Sequence, residues 1–144
     1  MIIAIVFISL NQMYSVCSRS LKKTESQDIA ADIAENLREE ILSKSLISDF
    51  IDAPKKNNTG RLNFRTVFDY DNYTSVPPEN ILGDKIQEYK DYTVKITVKK
   101  IKIDKTGGWK YAADDKIRYC CAEVVISILK NNSPIIELPF IKAE

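Results

Sequence analysis

The chain begins with a run of apolar positions that continues, without a helix breaker, into a segment of helical periodicity. Met1–Leu10 is almost wholly apolar, and the first charged side chain is Arg19. Leu21–Leu46 contains neither glycine nor proline, and apolar residues recur there at every fourth position, at Ile29, Ile33, Leu37 and Ile41. This spacing predicts an amphipathic helix continuous with the apolar start, about 45 residues in all.

A helix of that length divides into two functional halves. It would extend roughly 65–70 Å at 1.5 Å per residue, which is more than a domain of this size can cover. The first half must therefore protrude, and its apolar side chains need cover from lipid or from other subunits. We expect residues 1–20 to form this membrane or filament half and residues 21–144 to form a soluble head. The residues predicted to contact lipid or neighbouring helices are Ile2, Ile3, Ile5, Val6, Phe7, Ile8, Leu10 and Met13.

Three interpretations of the apolar start compete. A cleaved signal peptide needs a basic region before the apolar stretch and small residues before the cut, and neither is present. A lipoprotein signal needs small residues just before its cysteine, whereas Tyr14, Ser15 and Val16 precede Cys17. The absence of a helix breaker favours an uncleaved anchor that continues as helix, although an apolar run of about 17 residues is short for crossing a bilayer.

The middle of the chain reads as connector and loop. Ser45–Gly60 contains Pro54 and an Asn-Asn-Thr-Gly turn, and Arg61–Gly83 is rich in aromatic and acidic residues. Pro77 and Pro78 favour extended backbone, and the aromatic side chains are expected to hold this loop on the core.

The last third predicts antiparallel strands. Tyr92, Val94, Ile96 and Val98 alternate with polar residues, which is typical of a strand with one buried face. The apolar parity changes after Lys99-Lys100, and a one-residue bulge there would restore the facing. Two further strands are predicted at residues 117–129 and 135–141. Their expected inward residues are Cys120, Ala122, Val124, Ile126 and Ile128 on the first, and Ile136, Leu138 and Phe140 on the second.

These elements predict an α+β fold, in which a long N-terminal α-helix packs on a small antiparallel β-sheet. A three-stranded meander with one apolar face is marginal alone, and the amphipathic half of the helix supplies its cover. The predicted helix–sheet core comprises Ile29, Ile33, Leu37, Ile41, Val94, Ile96, Val124, Ile126 and Leu138.

Composition narrows the function. The 144 residues include 21 basic and 20 acidic side chains, and this balance argues against nucleic acid and against an acidic substrate as the partner. The chain has no histidine, the commonest general base near neutral pH and the commonest transition-metal ligand. We therefore predict a non-enzymatic protein without a cofactor.

Three groups of residues offer chemistry, and each has a plainer structural interpretation. Asp69, Asp71 and Asn72 could contribute oxygens to calcium, but too few ligands are visible locally, and a polar turn is favoured. Cys120 is expected in the core and Cys121 partly exposed, with no zinc or disulfide pattern. A basic strip is expected to be solvated and to protect a sheet edge, with nucleic-acid binding as the minor alternative. It consists of Lys95, Lys99, Lys100, Lys102 and Lys105.

The chain resembles type IV pilin-like proteins, particularly minor pilins and the minor pseudopilins of type II secretion systems. Ile2–Leu10 followed by Ile29–Ile41 resembles the hydrophobic helix start of the family and its later Ala/Leu/Glu-rich stretch. Phe68–Tyr73 and Pro77-Pro78, ahead of the alternating strand from Tyr92, are similar to an aromatic, acidic and proline-rich segment of minor members.

The resemblance implies a structural subunit of a type IV pilus or type II secretion pseudopilus, anchored and assembled through its hydrophobic N-terminal helix. The implied partners are other pilin or pseudopilin subunits, an inner-membrane assembly platform and the lipid bilayer. The implied location is the bacterial inner membrane, crossed once, with the head in the periplasm or on an extracellular filament. The alternative is a membrane-anchored periplasmic binding or interaction module that forms no filament.

Members of that family begin with a short basic leader, a Gly-Phe cleavage point and, shortly after it, a glutamate. They are cleaved and N-methylated there. Met1 of this chain falls just past the position of that glutamate, so these features would lie upstream of Met1, or the protein is not processed in this way.

Overall fold

One long helix and one antiparallel sheet form the described structure. The computed structural model describes residues 2–46, 61–103, 109–111 and 121–143, with side chains from residue 12 onward except those of 102, 103 and 109–111. The helix α1 spans Ile2–Leu42. The strands are β1 (Tyr73–Ser75), β2 (Tyr92–Ile103), β3 (Trp109–Tyr111), β4 (Cys121–Lys130) and β5 (Ser133–Ala143). Short 3₁₀ helices lie at Arg61–Asn63, Val67–Tyr70 and Gln87–Tyr89.

The helix α1 is 41 residues long, or about 60 Å at 1.5 Å per residue. Its second half packs on the sheet along the periodic apolar face, where Ile33, Leu37 and Ile41 are buried together with Ala30 and Ala34. These small alanines allow the helix axis to approach the sheet closely. The arrangement confirms the predicted α+β fold class.

The C-terminal end of α1 is held by the last strand. Lys142 on β5 donates a hydrogen bond from Nζ to the carbonyl oxygen of Leu42, at 2.8 Å. The last carbonyl groups of a helix lack partners within the helix and carry partial negative charge, so a lysine ammonium is favourable there. The contact joins the C-terminal end of α1 to the C-terminal end of β5.

The sheet contains more strands than the sequence predicted. Its order is β1-β2-β4-β5, every pair is antiparallel, and β3 pairs with the end of β2. The predicted meander corresponds to β2, β4 and β5. The strand β1 lies within the stretch that was expected to be loop. The sequence did not predict it, because three residues are too few to show a strand periodicity.

The bulge predicted at Lys99-Lys100 is wrong. Pairing of β2 with β4 continues without interruption from Tyr92 opposite Lys130 to Ile101 opposite Cys121. The change of parity instead places Ile101 on the sheet face away from α1, where it and Cys121 are both buried. The described register shift lies between β4 and β5, at Ile128/Leu129.

This pairing also corrects the cysteine prediction. Cys121 was expected to be partly exposed, but only 4% of its surface is accessible. Neighbouring strand residues face opposite sides, so Cys121 and Ala122 are buried on the two different faces of β4. Cys120 lies outside the described residues.

The hydrophobic core is a single cluster between α1 and the sheet. Most of the predicted core residues are buried in it, namely Ile33, Leu37, Ile41, Val94, Ile96, Val124 and Ile126. Ile29 and Leu138 are partly buried and pack against the cluster. Val67 and Tyr70 from the loop close one end, with no accessible surface on either residue.

The β4–β5 hairpin turns at Asn131-Asn132. Both residues have positive φ, of 51° and 64°. A two-residue turn with this backbone matches the twist of the flanking strands, and asparagine tolerates it better than most residues.

Truncating two leucines on α1 tests the division of the helix. Leu37 is 2% exposed and Leu21 is 71% exposed. We expect Leu37→Ala to lower the free energy of unfolding by about 2–5 kcal/mol, because it leaves a cavity in the core. The matched control Leu21→Ala should change the free energy by no more than about 0.5 kcal/mol. Urea unfolding followed by circular dichroism measures both, and equal losses would contradict the packing described.

Candidate functional site

The first half of α1 extends from the head with large apolar side chains in solvent. The exposed fractions are 68% for Met13, 77% for Tyr14, 67% for Val16 and 71% for Leu21. Single exposed apolar residues are ordinary, but four within three turns of a protruding helix form a surface that favours burial against another molecule. We call these four residues the apolar stripe. The predicted filament residues from Ile2 to Leu10 lie on the same helix, and their side chains lie outside the description.

A polar contact at Ser26 lies where α1 leaves the end of the sheet. Lys130 at the end of β4 donates to Ser26 Oγ at 2.7 Å and to the Tyr92 hydroxyl at 3.3 Å, and its ammonium lies 4.9 Å from the centre of the Tyr92 ring. From Ala30 onward the inner face of the helix is buried. Residues before Ser26 therefore extend beyond the end of the sheet.

A buried ion pair fastens the other end of α1 to the loop. Glu40 Oε1 accepts a hydrogen bond from Arg61 Nε at 3.1 Å, and Glu40 Oε2 lies 2.7 Å from Arg61 Nη2. The two side chains are only 10% and 5% exposed. The second contact is ionic and poorly aligned for a hydrogen bond, and Oε2 has no aligned donor among the described residues. An ion pair removed from water in this way is strongly disrupted when one partner is lost.

Two tyrosines extend the same network. The Tyr70 hydroxyl donates to Glu40 Oε1 at 2.6 Å, and the Tyr73 hydroxyl donates to Glu79 Oε2 at 2.8 Å. Arg61 Nη1 donates to the carbonyl oxygen of Glu79 at 2.7 Å. Burial, with the hydrogen bond to Glu40 second, raises the pKa of Tyr70 well above its usual range. Burial and the hydrogen bond to Glu79 raise the pKa of Tyr73 to about 12.

The calcium candidates form hydrogen bonds with the protein itself. Asp69 Oδ2 accepts from the backbone amides of Arg65 and Thr66, at 2.9 and 2.8 Å, and so caps the 3₁₀ helix Val67–Tyr70. Asp71 Oδ1 accepts from the amide of Val98 on β2 at 3.1 Å. Among the described residues, no three acidic or cysteine side chains converge on a metal position. The geometry of Asp69 and Asp71 matches the polar-turn interpretation.

An apolar groove lies between α1 and the loop that follows Pro78. Its volume is about 390 Å³. Its helix side is lined by Asp32, Ile33, Asn36 and Leu37. The loop side includes Ile81 and Leu82, which remain 68% and 65% exposed. The groove adjoins the Arg61 end of the ion pair, so the network also shapes its wall.

The predicted basic strip is divided between the two sheet faces. Lys95 and Lys99 are exposed on the face away from α1, whereas Lys100 is on the other face, with its ammonium 5.4 Å from the centre of the Phe68 ring. The side chains of Lys102 and Lys105 lie outside the description. The described lysines therefore do not form one continuous surface.

A search of the described residues for a membrane-crossing helix, by length and apolarity, finds none.

Comparison of the chain with protein-family models, with curated proteins and with solved structures finds no match. The class that the structure defines is an α+β protein with one long N-terminal helix packed on an antiparallel sheet.

Sequence reasoning found the protruding helix but missed the ion pair and the groove. Glu40 and Arg61 are separated by 21 positions and by a connector of turn-forming residues, so no local pattern links them. One signal was available, because Glu40 lies at the border of the helix face that carries the apolar periodicity. A carboxylate there needs a partner when the face is buried.

Breaking the buried ion pair from the arginine side should be costly. Arg61→Met leaves the Glu40 carboxylate buried without compensation, and we expect a loss of about 3–5 kcal/mol in the free energy of unfolding. The matched control is Arg38→Met, because the Arg38–Glu35 pair has side chains 41% and 55% exposed. Such a surface pair contributes about 0–1 kcal/mol. Chemical denaturation of both variants measures the difference, and a small loss for Arg61→Met would refute the role assigned to the pair.

Alkaline pH should lower the free energy of unfolding of the head, because the partly buried hydroxyl of Tyr73 ionises less readily in the folded state than in the unfolded chain. Its pKa is 10.0 when unperturbed and about 12 in the folded state, so its contribution to stability is fully present below pH 10 and declines as the pH rises through 12. Tyr73→Phe should flatten part of this decline, whereas Tyr14→Phe, at an exposed position, should leave it unchanged. Thermal unfolding midpoints recorded between pH 9 and 12 measure the effect. An unchanged slope in Tyr73→Phe would contradict it.

Proposed function

We propose that the chain is a structural subunit of the type IV pilin-like kind, a minor pilin or a minor pseudopilin of a type II secretion system. It is anchored and assembled through its N-terminal helix. It performs no catalysis, and its working parts are two packing surfaces on one helix. The head is positioned at the bacterial inner membrane on its periplasmic side, or along a filament.

One observation carries this proposal: a single continuous helix is buried along its second half and has exposed apolar side chains between Met13 and Leu21. The second half of α1 completes the core, whereas the first half presents Met13, Tyr14, Val16 and Leu21 to solvent. A free apolar helix surface of this kind is stable only when lipid or other helices cover it. A helix that serves both its own core and an external bundle couples the head to the assembly.

The mechanism follows from the stiffness of the helix. Hydrogen bonds continue through α1 from Ile2 to Leu42, so a contact made by the protruding half orients the head directly. The second half is held by the core, by Lys130 at Ser26, by Arg61 at Glu40 and by Lys142 at Leu42. Helices that bundle through their first halves would therefore present their heads in a defined orientation.

Cross-linking at the exposed Cys17 tests whether copies bundle through this helix. The full chain is placed in phosphatidylcholine vesicles and treated with a short bis-maleimide, and the joined peptides are mapped by mass spectrometry. Cys17 is exposed and Cys121 is buried, so a Cys17–Cys17 product reports on the protruding helix. We expect that product from the native chain. We also expect it to be lost in the triple variant Met13→Glu, Val16→Glu, Leu21→Glu, because burying carboxylates is unfavourable.

The matched control adds the same three charges at polar positions of the same segment. Gln12→Glu, Ser15→Glu and Ser18→Glu should retain the Cys17–Cys17 product. A native chain that binds the vesicles but gives no joined Cys17 peptides would reject assembly. That result would favour the alternative, a membrane-anchored module that forms no filament.

A further inference from the structure

Three cations are the first charged side chains after the apolar start of α1. Arg19, Lys22 and Lys23 occupy less than two turns, and all three are exposed. Within the described part of the chain, none of them forms an ion pair with a carboxylate. Their charge is therefore available to a molecule outside the chain.

These cations point to the same side of α1 as the head. Five turns of an α-helix take 18 residues, so Arg19 projects in the direction of Leu37, and Lys23 projects in the direction of Ile41. Both Leu37 and Ile41 are buried against the sheet. The three cations thus lie above the end of the head, whereas Met13, Cys17 and Leu21 project elsewhere around the helix.

The height of the cations above the head corresponds to the thickness of a headgroup layer. The contact between Ser26 and Lys130 marks the end of the head. Lys23 and Arg19 precede Ser26 by three and seven residues, which places them about 5–10 Å beyond it at 1.5 Å per residue. The polar layer on each side of a bilayer is about 5–8 Å thick.

The end of the head itself carries charges of both signs. The β4–β5 turn and the residues before β2 lie together there, because the Asn131 amide donates to the carbonyl oxygen of Asp91 at 3.0 Å. Lys90, Asp91 and Asn131 are exposed. The charged groups near this level include Glu88, Lys90, Asp91 and Lys130 on the head and Arg19, Lys22, Lys23, Glu25 and Asp28 on the helix. Cations outnumber carboxylates among them, and those closest to the apolar start are all cations.

We infer that Arg19, Lys22 and Lys23 form a basic collar that binds the headgroups of anionic phospholipids. The inference rests on the proposed function, in which the preceding apolar half of α1 enters lipid. An ammonium or guanidinium at the surface of an anionic membrane is attracted to it, and the attraction is screened by salt. The collar would seat the head at the membrane surface before the subunit is assembled.

Vesicle flotation tests the collar in the full chain. Detergent-solubilised protein is diluted into vesicles of phosphatidylcholine alone, or of phosphatidylcholine mixed with phosphatidylglycerol, at low and high salt. We expect tighter binding to the anionic vesicles, with the gain reduced by salt. The triple variant Arg19→Gln, Lys22→Gln, Lys23→Gln should lose on the order of 100-fold in partitioning onto anionic vesicles. It should bind neutral vesicles as the native chain does.

A charge-matched variant separates the collar from net charge. Lys44→Gln, Arg65→Gln and Lys95→Gln also remove three cations. Lys44 follows the C-terminal end of α1, which lies about 35 Å from Arg19 along the helix axis. This variant should keep most of the preference for anionic vesicles. Equal losses in the two triple variants would overturn the collar, because a general charge effect would then explain the binding.

The outcomes distinguish this inference from the function on which it rests. Equal binding of the native chain to neutral and anionic vesicles would overturn the collar and leave the apolar anchor intact. Failure to bind neutral vesicles would reject the anchor, while a salt-sensitive gain on anionic vesicles that requires the three cations would still support the collar. Unchanged circular dichroism and thermal unfolding of the variants would show that the head remains folded.

Discussion

Burial of the second half of α1 on the sheet is the interaction on which the rest of the structure depends. The sheet presents one apolar face, and a few strands with such a face are marginal without cover. Ile33, Leu37 and Ile41 provide that cover, and the helix in turn is stable because its apolar face is removed from water. The same backbone then continues into solvent, so the packing that completes the head also fixes the direction of the protruding half.

Polar contacts reinforce this packing at both ends of the buried segment. Lys130 joins Ser26 where the helix leaves the sheet, whereas Arg61 and Lys142 join the helix near its C-terminal end. The buried pair with Arg61 gains little stability relative to apolar residues of similar size, but it is unfavourable to separate. It therefore resists alternative positions of the loop, and it keeps the groove wall near Ile81 in place.

The helix carries three kinds of surface in succession, and the proposed function follows from their order. An apolar stripe comes first, the collar of Arg19, Lys22 and Lys23 overlaps its end, and the core-facing residues follow. A membrane changes in the same direction from hydrocarbon to charged headgroups and then to water, where the head packed on the core-facing residues would lie. Because one continuous helix carries all three surfaces, the anchor in the proposed function would need no separate linker to the head.

The sequence by itself determined the long helix, its apolar core face, the inward residues of β2 and the α+β class. Those features depend on local periodicity, which a single segment displays. Tertiary structure decided the pairing of Glu40 with Arg61, the short strand β1 and the burial of Cys121, which sequence reasoning expected to be partly exposed. Each depends on residues distant in the chain. Arg61 as the partner of Glu40, β2 as the neighbour of β1 and Ile101 as the residue paired with Cys121 come into place only once the chain has folded.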